Sequence, residues 1–168
     1  MVEQHVRDSG LDFTFLRPNL FYQGLLAAAG LVATRGILPA PIGDAKISAV
    51  DVRDIAAVAA AALVEDGHSR ATYTITGPEA LTHAAMAAAL SEATGREVRF
   101  VDVSPDDFRA GLQGVLPPWQ LDGLLEDYAH YARGEAGEVT TVVPDVAGRP
   151  AVPFARFAAD HAEHFAPR

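Results

Sequence analysis

Pro18 sits at the hinge of the most constraining stretch in this chain, Leu11 to Leu26, LDFTFLRPNLFYQGLL. Asp12 to Arg17 mixes aromatic, β-branched and polar residues over a strand's length. Gly10 marks where the preceding helix-like segment stops. Pro18 has no N–H to give to a ladder, so the strand is expected to end at Arg17. Asn19, Phe21 and Tyr22 then fall just past its carboxyl end, where open α/β sheets bind their ligands. The same pattern also describes a buried strand followed by core aromatics, and local pattern alone leaves both readings open.

The rest of the chain alternates helices and strands. Val2 to Ser9 reads as a short helix with Val6 inward, and Leu25 to Val32 as an apolar helical segment. Gly36 to Gly43 holds two prolines and two glycines and is expected to be a loop. Lys46 to Val50 alternates as a short strand. Asp51 caps a helix from Val52 to Glu65, with Asp54 completing a D-x-x-D variant of the capping box. These two carboxylates could instead bind substrate, although capping is the commoner role. Thr72 to Thr76 is a strand, Thr82 caps a helix over His83 to Ala93, and Gly95 stops it. Val98 to Val103 is a further strand. Ser104-Pro105-Asp106-Asp107 opens the next helix with a capping serine, a first-turn proline and two acids at the positive end. A helix from about Trp119 to Arg133 follows, then a loop over Gly134 to Gly137 and a strand-like Val139 to Val143. Pro153 opens a last helix with an apolar stripe of Phe154, Phe157, Ala158, His161 and Phe165.

Composition narrows the function classes. The 168 residues make one domain, 1–168, long enough to bury a core, and 49% hydrophobic with 21% charged residues fits a globular protein. A formal net charge of -9 with no visible basic patch argues against nucleic acid as a partner. The absence of cysteine excludes disulfides, thiol nucleophiles and thiolate metal sites. The longest apolar run, Ile55 to Val64, spans ten residues, too few to cross a bilayer. The first eight residues lack the basic and apolar regions of a signal peptide, so the expected address is cytoplasmic.

Several catalytic constellations fail on spacing. Y-x-x-x-K is absent, because the only lysine, Lys46, follows Ile42 by four. Asp160-His161-Ala162-Glu163-His164 sets its histidines at i, i+3 where helical zinc sites prefer i, i+4, and no metal is expected. No G-x-S-x-G elbow occurs. No catalytic residue can be assigned on these grounds.

A helix ending S-G-L-D, followed by T-x-L-R-P (Thr14-Phe15-Leu16-Arg17-Pro18) and an aromatic pair, resembles the NmrA-like branch of the atypical short-chain dehydrogenases. Val50 to Ala56, Tyr73 to Glu79, Ala93 to Arg96 and Ser104 to Phe108 extend the resemblance over nearly the whole chain. It implies an α/β fold: a partial Rossmann-like sheet carrying the C-terminal substrate-binding subdomain. It also implies that Arg17, Pro18 and Asn19 lie beside the nicotinamide end of NAD(P)H. Phe21, Tyr22 and Trp119 would then line the substrate pocket, under a lid formed by the helices around Trp119.

Family members begin with a strand, a G-x-x-G-x-x-G turn and a helix whose amides hold the pyrophosphate. Here neither that turn nor G-x-G-x-x-G occurs, since Gly24, Gly30 and Gly36 recur at intervals of six. By the resemblance the first βαβ units are absent and the chain corresponds to the C-terminal half. It is therefore expected to bind NAD(P)H weakly or not at all by itself. The activity implied is reduction of a small hydrophobic electrophile of quinone or enone type. The alternative is a stand-alone binding module, or a cofactor-independent isomerase or cyclase using the same aromatic pocket. Loss of the first half would leave one side of Asp12 to Arg17 unpaired, which points to a homodimer or a partner chain covering that edge.

Overall fold

The computed structural model describes residues 2–167. It is an α/β fold whose strands pair in three short ladders. β1 (Phe15–Pro18) runs parallel to β4 (Thr72–Ile75), and β2 (Ile37–Ala40) parallel to β6 (Arg99–Asp102). β3 (Lys46–Ile47) pairs antiparallel with β5 (Leu81–Thr82). The connections are helices: α1 (Val2–Asp8), α2 (Ala29–Arg35), α3 (Val52–Val64), α4 (His83–Thr94), α5 (Pro105–Leu112), α6 (Pro118–Ala132), α7 (Val142–Ala147), α8 (Phe154–Asp160) and α9 (Ala162–Phe165). A 3-10 segment, Tyr22–Ala28, leads into α2.

Local chemistry sets most helix starts. Asp51 accepts from the N–H of Arg53 at 2.9 Å, Thr82 from Ala85 at 3.1 Å and Ser104 from Asp107 at 3.1 Å. Each satisfies a donor that the first helical turn leaves without a partner. Asp54 does not reciprocate as a capping box would. It is fully buried, and its Oδ2 accepts from the N–H of Val152 at 2.8 Å.

Proline geometry explains two departures from the sequence reading. β1 begins at Phe15, later than Asp12, and includes Pro18, one residue beyond the expected end. Phe15 donates to Ala71 O and Asn19 to Ile75 O, both at 3.0 Å, so the odd positions face β4. The nitrogen of Pro18 therefore points away, where its missing hydrogen costs no ladder bond. The expected loop Gly36 to Gly43 instead contains β2. Arg99 donates to Gly36 O at 2.8 Å and Val103 to Ala40 O at 3.3 Å, so even positions of β2 face β6 and Pro39 again points outward.

The expected strand Val139 to Val143 is not one. Thr140 bonds to the end of β4 through its N–H to Thr76 Oγ1 (2.9 Å) and its hydroxyl to Thr74 O (2.7 Å), and the chain then coils into α7. The terminal helix is likewise divided, with His161 between α8 and α9.

The main core gathers Tyr22, Val32, Leu38, Met86, Leu90, Phe154, Phe157 and Phe165. Each large apolar side chain sealed this way contributes about 1.5–3 kcal/mol. α4 packs on α8 and α9 and against both strands of the β2–β6 pair, and α5 also contacts β2. A second cluster, Val50, Val58, Ile75 and Val143, joins α3 to β4 and α7.

Candidate functional site

The carboxyl end of β1 opens into a cavity of about 1160 Å³. Pro18, Asn19 and Phe21 form its wall at the strand end, and Gly24, Leu25 and Ala28 of the 3-10 segment continue it. Leu38 and Pro39 of β2 close its back, while Phe108 and Leu112 of α5 and Trp119, Leu124 and Tyr128 of α6 face them. Most of this lining is apolar because α5 and α6 turn their hydrophobic stripes toward β2. Phe21 is 43% and Trp119 76% exposed, so both rings stand at the mouth.

Not every residue expected at the site is there. Tyr22 lies beneath the cavity in the main core and does not line it. Its ring meets Phe154 edge-on at 5.1 Å and Phe157 at 5.4 Å, and burial raises its phenol pKa. Its neighbour Gly77 must lack a side chain, since a Cβ there would lie 2.2 Å from Ala49 O and 2.7 Å from the Tyr22 hydroxyl. Arg17 also stands outside the cavity, bonded through Nε (2.8 Å) and Nη2 to the carboxylate of Glu3 on α1.

Asn19 faces the cavity, but its amide is occupied. Nδ2 donates to Ser48 Oγ at 2.9 Å and to Ala136 O at 3.0 Å, and Oδ1 accepts from the N–H of Leu20 at 2.8 Å. Ser48, itself buried, donates to Ala136 O at 3.1 Å. Asn19 thereby ties the end of β1 to the loop that follows α6.

The cavity's own polar groups are residues that the sequence reading did not single out for it. Asp127 and Tyr131 stand at i, i+4 on α6 and both line it, as does Arg35 at the end of α2. Burial, and then the neighbouring Glu126, raise the Asp127 carboxyl above its usual range. Burial, and then Asp127, push Tyr131 up to about 12. Tyr128 is deeper, with its hydroxyl 3.2 Å from Nε2 of the fully buried His83. The i, i+4 spacing of Asp127 and Tyr131 on the helix expected from about Trp119 to Arg133 was the available signal for Asp127. Arg35 offered none.

Near the C-terminus the His161 ring lies tilted against Phe157 at 4.7 Å, and Asp160 meets Arg53 at 2.8 Å and Arg156 at 2.7 Å.

A parallel ladder whose first strand ends T-x-L-R-P thus opens at its carboxyl end into this cavity. The family model described as NmrA-like family matches residues 1–140. The chain belongs to the NmrA-like family. It is 41% identical over 165 residues to a (4-alkanoyl-5-oxo-2,5-dihydrofuran-3-yl)methyl phosphate reductase of Streptomyces griseus, covering 98% of this chain and 58% of that protein. It is 42% identical over 164 residues to an NAD(P)H azoreductase of Xenophilus azovorans, covering 97% of this chain and 57% of that one. The NADPH-dependent quinone oxidoreductase QOR2 of Escherichia coli, solved with NADPH, superposes with a TM-score of 0.86 at 29% identity. That match covers 94% of this NmrA-like chain and 56% of QOR2. The chain thus spans little more than half the length of the relatives it matches.

A dinucleotide fits these residues at one end only. Pro18 and Phe21 offer an apolar wall that suits a flat ring, while Arg17 and the Asn19 amide are engaged within the protein. No Gly-rich turn in the sequence offers backbone amides to a pyrophosphate. Among the described residues, no helix is long and apolar enough to cross a membrane.

Proposed function

We propose that this chain is the substrate-side portion of an NAD(P)H-dependent oxidoreductase that reduces a small, flat, hydrophobic electrophile of quinone, enone or azo type. The observation that carries this reading is the aromatic-rimmed apolar cavity at the carboxyl end of β1, where α/β sheets place their ligands. Relatives named as an azoreductase, a furanone phosphate reductase and a quinone oxidoreductase agree with it. The first βαβ units, with the pyrophosphate turn, belong outside these residues. The bound cofactor supplies the hydride; this chain shapes the acceptor's site, excludes water from it and holds the acceptor between Phe21 and the lid helix.

A 1,4-naphthoquinone tests the reading by calorimetry. Saturable binding that Phe21→Ala weakens several-fold is expected, since an aromatic contact contributes about 0.5–1.5 kcal/mol beyond its area. Absence of saturable binding would contradict it. A binding module or isomerase without redox activity is the second reading, favoured by the missing Gly-rich turn. Reduction of the same quinone by the chain at millimolar NADPH would exclude it.

Assembly belongs to the same proposal. Among the described residues β1 pairs on one side only, with β4, and Arg7 lies 4.9 Å over the rings of both Phe13 and Phe15 next to it. An edge strand invites a partner. The expected partner is a second copy at the Asp12 to Arg17 region, burying more than about 1,200 Å². A separate chain carrying the nucleotide half would cover the same edge. Sedimentation at micromolar concentration showing a clean monomer would oppose both.

A further inference from the structure

Among the described residues, Arg35, Lys46, Arg70 and Arg96 form no ion pair, and of these four Arg35 lines the cavity. Arg7, Arg17, Arg53, Arg109, Arg149 and Arg156 each meet a carboxylate. Arg35 forms no ion pair with any described residue, although the chain carries a net charge of -9 and Asp107 and Asp127 line the same cavity. Asp107 is engaged at the start of α5, where it accepts from the Ser104 hydroxyl at 2.7 Å.

The backbone fixes where this arginine stands. Gly36 ends α2 with φ 63°, a left-handed conformation that turns the chain directly into β2. A Cβ at Gly36 would lie 2.7 Å from Glu97 O, so the turn is closed against the neighbouring segment. Arg35 is thereby held at the cavity wall beside Leu31, Ile37 and Leu38. A basic residue at a helix C-terminus also offsets the helix dipole. That role has another occupant, because Arg96 Nη1 donates to Ala33 O at 2.9 Å.

Arg35 is exposed at this apolar wall, so its charge is open to an incoming ligand and to salt, and its planar fork matches an oxyanion with two donors. Resting on the reading of this cavity as the ligand site, we infer that Arg35 selects ligands bearing an oxyanion. The substrate class is then a flat apolar molecule with a carboxylate, sulfonate or phosphate at one end. Its rings lie between Phe21 and α6 and its anionic group meets Arg35.

Two fluorescent probes that share a ring system test this without any cofactor. 8-Anilinonaphthalene-1-sulfonate carries the anion and N-phenyl-1-naphthylamine lacks it. Trp119, the only tryptophan, lines the cavity and reports occupancy by energy transfer to either probe. Gly123→Leu locates binding, because Gly123 lines the cavity and has nothing within 4 Å of its would-be Cβ. Gly111→Leu, with the same surroundings, serves as a second blocking variant. Both probes are expected to lose binding in the blocking variants.

Arg35→Gln is expected to weaken the sulfonate about tenfold while leaving the neutral probe within about twofold, the range for a lost hydrogen bond to a charged group. Arg35→Lys should fall between. Added salt should weaken only the sulfonate, and only when Arg35 is present. Equal effects of Arg35→Gln on both probes, or none on either, would overturn the assignment while leaving the cavity as the ligand site. Failure of the blocking variants to displace the probes would overturn the cavity itself, and the assignment with it.

Discussion

Arg149 places Nη1 2.8 Å from Oδ1 of Asp54, a carboxylate with no solvent exposure near the start of α3. The approach is a charge contact whose angle makes no hydrogen bond, so Oδ1 accepts none while Oδ2 accepts from Val152. Arg149 Nη2 also donates to Arg53 O at 3.0 Å. The contact thus ties the segment after α7 to the first turn of α3.

Arg149→Ala leaves that carboxylate buried without its countercharge. Removing one partner of a buried ion pair costs about 3–5 kcal/mol. Arg149 keeps 39% of its side chain exposed, so water takes up part of the loss and about 2–3 kcal/mol is expected. Urea denaturation measures it. Asp54→Asn in the same background should recover part of the loss by removing the stranded charge.

Gly77→Ala forces a methyl group into space held by Ala49 O and the Tyr22 hydroxyl. One obstacle is backbone and cannot rotate away. Overpacking of this kind costs about 1–3 kcal/mol and more where the backbone must shift. A fall of about 3 kcal/mol in stability is expected, and Tyr22→Phe should relieve only the side-chain part of it.

His83 gives a pH dependence with a definite sign. Burial lowers its pKa from 6.5 to about 4, so between those values the unfolded chain binds a proton that the native chain excludes. Stability is full above pH 6.5 and is lost as pH falls from 6.5 toward 4. The total over that window is on the order of 3 kcal/mol. His83→Phe should flatten the slope of stability against pH there, whatever it does to the absolute value. An unchanged slope would show that carboxylates carry it.

The sequence made local chemistry legible and distant packing less so. Asp51, Thr82 and Ser104 cap the helices they were expected to cap, because a cap is decided within three residues. Pro39 misled, since a proline breaks a strand only when its nitrogen faces the partner, and that depends on the register with β6. Tyr22 is the core aromatic that one of the two open readings allowed, and local pattern could not choose, because the rings that enclose it come from α8 at the far end of the chain. Phe21 and Trp119, named from the resemblance, both line the cavity in the structure. Arg35 could not be read, since its place on the wall follows from the turn at Gly36 and the closure against Glu97. Val139 to Val143 has a strand's composition, yet the Thr140 bonds to Thr76 and Thr74 replace a ladder.

The central claim is that these 168 residues hold the acceptor's site and lack the pyrophosphate cradle. Calorimetric titration of NADPH into the chain tests it most directly. Without amide donors at a helix N-terminus the account predicts affinity no tighter than about millimolar, near -4 kcal/mol. Micromolar binding of NADPH to the chain alone would contradict it.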